Sequence, residues 1–186
     1  MTTPHSLSIA RFSADVLAQA APVKVVFFDV DGVLTDGSLW FSDAGETMKR
    51  FNTLDGHGLK LLQRAGITPA VVTGRDSAAL RNRLSALGVV HARFGTEDKL
   101  PAANELLAEL GLGWAQAGAM GDDWPDLPML TRAALACVPA TAQADVLAHA
   151  HFTPHASAGN GAVRELCDLL LHATGQYDQL LRDALL

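Results

Sequence analysis

The chain has 186 residues, of which 49% are hydrophobic and 18% charged, and a formal net charge of -6. That length suits one domain with a proper core, and the acidic balance without a basic stripe argues against a nucleic-acid partner. No apolar run approaches the ~18 residues that span a bilayer, so no membrane partner is expected.

Residues 1–22 read as a leader, with a helix expected from about Ser8 to Ala20. "KVVFFD" then reads as a buried strand, and "GSLWFSDAGETMKRFN" as two short runs around a Gly-ended turn, a β-hairpin inserted at about 38–52. "GLKLLQRAG" is a helix closed by Gly66, "TPAVVTG" a strand, and "DSAALRNRLSALG" a helix with Asp76 as N-cap and Gly88 just past its end. "VVHARFG" is the next strand, followed by a helix from about Asp98 to Leu110. "WAQAGAMG" leads into a short helix around Pro125 to Arg132. "ALACVP", a helix at about Ala142 to Ala148, "AHFT" and a helix from about Ala162 complete a domain over 23–172. The tail, 173–186, is amphipathic enough to be helical. Alternating strands and helices predict an α/β fold: a Rossmann-like, mostly parallel sheet with helices on both faces. The hairpin stands where a cap domain would otherwise be inserted.

Cys137 and Cys167 lie in apolar segments and form no CxxC pair, which predicts buried thiols in a reducing cytoplasm. The start of the chain lacks the basic, apolar and small-residue pattern of a secretory signal. His149, His151 and His155 fall in a Pro-containing segment that reads as strand and loop, not as a zinc site.

Ligands of parallel α/β sheets bind at the carboxyl ends of the strands. Those ends carry Asp29 and Asp31, then Thr73-Gly74-Arg75, then Lys99 after a short loop, then Gly121-Asp122-Asp123. Taken singly, Thr73-Gly74 is also a turn, Lys99 a solvated helix start, and Asp122-Asp123 a helix cap. Four such groups in order at four strand ends argue for one site. The acids concentrated at Asp29, Asp31 and Asp36 call for a compensating charge, although Asp36 also reads as turn chemistry at the base of the hairpin, as Asp43 does at its tip.

DxDGxxxD, an apolar strand ending in Thr-Gly, a lysine, and GDDxxD together resemble the haloacid dehalogenase-like hydrolases, over about Val23 to Leu171. "DVDGVLTDG", "KRFNTLDGHGL", "VVTGR", "GDDWPDLPML" and "GNGAVRELCDLLL" are similar to the branch acting on phosphorylated sugar acids, best of all 3-deoxy-D-manno-octulosonate 8-phosphate. The resemblance implies a cytoplasmic, Mg2+-dependent homotetramer that serves lipopolysaccharide synthesis. It assigns Asp29 as nucleophile, forming an aspartyl-phosphate, and Asp31 as the acid and base for the leaving alkoxide and attacking water. Asp29, the main-chain carbonyl of Asp31 and Asp122 would hold Mg2+, an ion that prefers oxygen ligands. Thr73 and Lys99 would hold phosphate oxygens, with Asp123 and Asp126 behind them, orienting Lys99 or metal-bound water.

The substrate's carboxylate suits an arginine fork, and Arg75 is the expected partner, a choice that favours the eight-carbon over a nine-carbon acid. Gly74, Arg83, Arg50, Asn52 and Arg164 are further substrate-binding candidates, with Asp55 and His57 nearby. Arg83 also reads as a solvated helix charge, and "GNGAVRE" as either a flap or a plain loop before a helix. Leu39, Trp40, Phe41, Met48 and Phe51 put apolar residues on both faces of the hairpin, which predicts contact with a neighbouring subunit or with its own core. The alternatives are a nine-carbon sugar-acid phosphatase and a catalytically silent oligomerisation domain; the latter should have lost one of Asp29, Asp31, Thr73, Lys99 or Asp122. Glu97 and Asp98 depart from the pattern by placing acids beside Lys99.

Overall fold

The computed structural model describes residues 11–186. Val25–Phe28 form β1, buried at every position. In a strand, alternate side chains leave opposite faces, and the chain uses both. Val26 and Phe28 enter one apolar cluster; Val25 and Phe27 enter a second on the other side. A strand with two dry faces belongs in the middle of a parallel sheet. β1 is parallel to β4 (Thr68–Val72) on one side and to β6 (Ala117–Met120) on the other. β5 (His91–Arg93) and β7 (Leu135–Cys137) extend the sheet to the order β5-β4-β1-β6-β7, parallel throughout. The expected fold class is the observed one.

The first face is covered by α1 (Ala14–Ala20), α2 (Thr53–Arg64), α3 (Ala78–Leu87) and α7 (Ala162–Ala173), through Leu59, Leu62, Leu80, Leu84, Leu166 and Leu170. The second is covered by α4 (Lys99–Leu110), α5 (Leu127–Leu130) and α6 (Ala144–Leu147), through Leu106, Leu107, Met129, Leu130 and Val146. Among the described residues no helix is long and apolar enough to cross a membrane. Cys137 and Cys167 are free and buried.

The hairpin of β2 (Trp40–Ser42) and β3 (Gly45–Met48) forms a separate two-stranded sheet. Only Phe51, at its exit, packs on the core. Trp40, Phe41 and Met48 remain 54%, 63% and 57% exposed. Its register shifts between Trp40 and Phe41, an irregularity that twists the ribbon.

Several boundaries differ from expectation for local reasons. The part of the leader helix expected before residue 11 lies outside the described residues; its observed part starts after Ser13, whose hydroxyl accepts from Val16 N. Ser77, not Asp76, caps α3 by accepting from Leu80 N, because Asp76 is held by Nε and Nη2 of Arg81, each at 2.7 Å. The strand expected at "VVHARFG" shortens to three residues, since Val89 N is spent closing α3 on Leu84 O and Gly95 turns the chain away. "AHFT" makes only one parallel bridge, Phe152 to Cys137; Pro154, which has no N–H, follows two residues later. The helix expected around Pro125 divides into a 3-10 turn, Trp124–Asp126, and α5. In the tail, α8 (Tyr177–Asp183) docks on the same protomer by stacking Tyr177 on His172, ring centroids 3.9 Å apart.

Leu166 is 1% exposed where α7 meets the first cluster. Leu166→Ala should lower the unfolding free energy by about 2–5 kcal/mol, read from urea titration of purified protein.

Candidate active site

β1 ends in mid-sheet, so the residue after it is carried to the crevice with its neighbours already in place. Asp29 N donates to Met120 O at 3.0 Å, which continues the ladder one residue beyond the strand. The chain then turns at Gly32, whose φ is +89°, a conformation open chiefly to glycine. A side chain there would also collide with Asp122, whose Oδ2 lies 2.1 Å from the position of a Cβ.

Lys99, the first residue of α4, is 4% exposed and is held by two carboxylates at once: Asp29 Oδ1 at 2.7 Å and Asp126 Oδ1 at 2.7 Å. The other oxygen of Asp126 accepts from Asp122 N at 3.0 Å and Asp123 N at 3.2 Å. One buried carboxylate thereby fixes both the lysine and the loop after β6. Gly121 allows this, because a Cβ at that position would stand 2.3 Å from the Asp126 side chain. Thr73, after β4, is buried; its N–H donates to Arg93 O and its hydroxyl accepts from Arg75 N at 3.3 Å.

A cavity of about 470 Å³ opens over these groups. Asp29, Asp31 and Asp122 line it together with Thr73, Gly74, Arg75 and Lys99, and Asp123 and Asp126 complete the wall. Glu97 faces the same space, whereas Asp98 does not line it.

Electrostatics separate the carboxyls. Burial, and after it the Asp126 charge, push Asp29 up to about 6 against the opposing pull of Lys99. Asp122 is pushed up to about 7 by burial first, then by Asp29 and Asp126. Burial by itself would lower the Lys99 ammonium, but Asp126 and Asp29 outweigh it and hold it above its ordinary value. The lysine is therefore charged at neutral pH, and the acids beside it still carry more negative charge than it offsets.

That residual charge is matched to a hard cation. Asp29, Asp122 and Asp126 bring carboxylate oxygens within 4.8 Å of one another. Asp126 is already committed to Lys99 and two main-chain N–H groups, whereas Asp122 Oδ1 is buried with no hydrogen-bond partner. An orphaned carboxylate oxygen next to Asp29 suits a divalent ion with oxygen preference.

The structure places four of the substrate-binding candidates elsewhere. Asn52 caps α2, its Oδ1 accepting from Leu54 N at 2.8 Å. Arg83 donates to Asn52 O at 3.2 Å and lies over the Phe51 ring, so it braces the exit of the hairpin. Arg50 reaches Asn160 at 2.8 Å and Asp36 at 3.5 Å, tying the hairpin to the loop before α7. Arg164 is paired with Asp168 at 2.7 Å, four residues on. Asp55, expected near sugar hydroxyls, is buried and accepts from Gly161 N and Arg164 N, the N-terminal donors of α7. Asp123 does not touch Lys99; it accepts from Trp124 N at 2.8 Å and opens the 3-10 turn. Asp36 makes the turn expected of it, accepting from Ser38 N.

Lys49 escaped the sequence reading. Its Nζ donates to Asp31 Oδ1 and forms an ion pair with Glu46 Oε1, and its side chain is 1% exposed. The available signal was its place directly after β3 and before Arg50, where successive side chains diverge.

No family model matches the chain. A search of curated proteins finds 3-deoxy-D-manno-octulosonate 8-phosphate phosphatase KdsC of Yersinia pestis, 40% identical over 88% of this chain and 88% of that one. The chain belongs to the 3-deoxy-D-manno-octulosonate 8-phosphate phosphatase family. Its structural relatives include a probable YrbI family phosphatase from Pseudomonas syringae, with a TM-score of 0.90 at 44% identity over 94% of this chain and 99% of that one. A second, the family's enzyme from Moraxella catarrhalis in complex with magnesium, phosphate and KDO, gives 0.89 at 34% identity, over 92% and 99%.

The raised carboxyls generate a prediction with a definite sign. Asp29 and Asp122 ionise near 4 when unfolded and at about 6 and about 7 when folded without metal. The folded state thus binds more protons between those values, and its stability falls as pH rises through the window. The melting temperature of metal-free protein should drop from pH 5 to pH 8. Mg2+ should reverse the drop, and its half-saturating concentration should rise as pH is lowered below 7, since protons compete for the same oxygens. Thermal melts in EDTA and across a Mg2+ titration read both effects.

Proposed function

We propose that this protein hydrolyses 3-deoxy-D-manno-octulosonate 8-phosphate to the free sugar acid and inorganic phosphate, with Mg2+ as cofactor. The observation that carries the reading is Lys99 bridging Asp29 and Asp126 beside the unpartnered oxygen of Asp122, at the foot of a cavity that also presents Arg75. That contact supports reading Asp29 as nucleophile, Lys99 as phosphate-binding cation and Asp122 as metal ligand in a chain of this family.

Asp29 attacks phosphorus with one carboxylate oxygen while Lys99 holds the other and screens the approaching dianion. As the bond from phosphorus to the sugar oxygen breaks, Asp31 delivers its proton to that oxygen. Water then attacks the phosphorus of the aspartyl-phosphate, its proton passing to Asp31 as the new P–O bond forms and the bond to the Asp29 oxygen breaks, which frees phosphate and restores the carboxylate. Thr73 Oγ and Lys99 Nζ steady the phosphate oxygens that take no part in bond exchange. Asp126 positions Lys99. Asp29, the Asp31 carbonyl and Asp122 would hold Mg2+, which supplies charge neutralisation for the phosphate. Arg75 receives the sugar carboxylate.

The catalytic unit is taken as 23–172, with 1–22 a leader and 173–186 a tail. The exposed Trp40, Phe41 and Met48 support a homotetramer in which hairpins of neighbouring copies close the sites. Such an enzyme would work in the cytoplasm, in lipopolysaccharide synthesis.

Phosphate release from the purified chain tests the reading, with the eight-carbon sugar acid phosphate set beside a nine-carbon sugar acid phosphate, glucose 6-phosphate and a nucleoside monophosphate. Turnover should be selective for the eight-carbon acid, absent in EDTA and absent in Asp29→Asn. Arg75→Ala should raise KM for the sugar acid phosphate by about tenfold or more, in keeping with the loss of a charge-assisted pair. Equal turnover across the panel would sink the substrate assignment while leaving the chemistry standing.

A further inference from the structure

Asp31 stands apart from the other acids of the site. Asp29, Asp122 and Asp126 are bound to one another through Lys99 and the loop after β6, whereas Asp31 faces the hairpin. Its two carboxylate oxygens have different surroundings. Oδ1 takes the Lys49 ammonium, with the Thr35 hydroxyl at 3.4 Å. Among the described residues Oδ2 receives no hydrogen bond, and Arg75 Nε lies 3.7 Å from it. Asp31 lines the cavity, so one oxygen is anchored and the other is available to the substrate.

Lys49 is itself fixed. Glu46 Oε1 lies 3.0 Å from the ammonium as an ion pair without a hydrogen bond, and Glu46, in β3, stands three residues before Lys49. A lysine head with its side chain 1% exposed between two carboxylates has little rotamer freedom left. Lys49 does not line the cavity, so its effect on the substrate passes through Asp31.

We propose that Lys49, held by Glu46, is a positioning residue that locks the Asp31 carboxyl with its free oxygen directed at the leaving group. The inference rests on the reading of Asp31 as the group that protonates the sugar oxygen. Proton transfer demands a near-linear approach of the donor at hydrogen-bond distance, and a short aspartate with one anchored oxygen supplies it. Arg75, the other cation near Asp31, is engaged elsewhere once it receives the sugar carboxylate, which leaves Lys49 as the standing constraint. The hairpin thereby contributes to chemistry within its own subunit, separately from any contact its exposed face makes.

The test separates proton delivery from every other contribution by changing the leaving group. The sugar alkoxide needs a proton as it departs; 4-nitrophenolate does not. For the full chain with saturating Mg2+, kcat/KM is measured for the eight-carbon sugar acid phosphate and for 4-nitrophenyl phosphate, which reports the steps up to departure of the leaving group. In Lys49→Met, the ratio of the two values should fall by about tenfold or more. Lys49→Arg should recover part of it, and the inhibition constant of the free sugar acid should stay within about twofold, showing that sugar binding is intact. Lys49→Gln carries the same comparison should the Met variant fail to fold.

Asp31→Asn distinguishes the two levels of the argument. If it lowers the ratio and Lys49→Met does not, or Lys49→Met lowers both values in equal proportion, the Lys49 inference is overturned. If Asp31→Asn leaves the ratio unchanged, the role of Asp31 falls, and that of Lys49 with it.

Discussion

A buried ammonium enclosed by carboxylates is the contact on which this molecule turns. In a medium of low polarity, like charges at hydrogen-bond range are strongly unfavourable and opposite charges strongly favourable. Lys99 converts the first situation into the second for Asp29 and Asp126. The geometry around it follows. Asp126 can reach the lysine and the N–H groups of Asp122 and Asp123 only because residue 121 has no side chain. Asp122 can lie against the first loop only because residue 32 has none. Two glycines therefore belong to the electrostatics of the site as much as the acids do. The charge left over after Lys99 is counted is what makes the centre receptive to a cation, and the cation in turn makes it receptive to a phosphate.

The sheet converts this local chemistry into an address. Because β1 is central and dry on both faces, its end is located by neighbours on either side, and Asp29 inherits that precision through its bond to Met120. Thr73 arrives from the end of adjoining β4, and Lys99 from the start of the helix that follows edge strand β5. The hairpin answers to other demands. It is joined to the domain by Lys49 at Asp31 and by Arg50 at Asn160 and Asp36, two successive cations pointing to different places.

Much of this could be read from the chain before any coordinates. Asp29, Asp31, Thr73, Lys99 and Asp122 were legible because each stands at the end of a recognisable strand and the sheet leaves strand ends no other destination. Asn52, Arg83 and Arg164 do not line this chain's cavity, because chain position says which end of an element a residue occupies, not which way its side chain leaves. Asn52 turned inward to cap a helix, and the two arginines found partners along or across helices. Lys49 was overlooked for the opposite reason. A Lys-Arg pair after a hairpin looks solvated, and only the fold-back of the ribbon onto the β1 loop shows that the first of the two is buried. Asp76 and Ser77 are both natural capping residues; a nearby arginine settled which of them was free to cap.

The two layers over the sheet have different histories along the chain. The second is built from one continuous stretch between Lys99 and Leu147, together with the strands. The first joins α1, α2 and α3 to α7, which comes near the end of the chain. The loop ahead of α7 also closes on the loop after β1, Gly159 N donating to Val33 O. On a ribosome, the second layer can therefore assemble while the first still lacks a wall. The segment carrying Asp29 is among the first portions of the domain to be made and among the last to be finished.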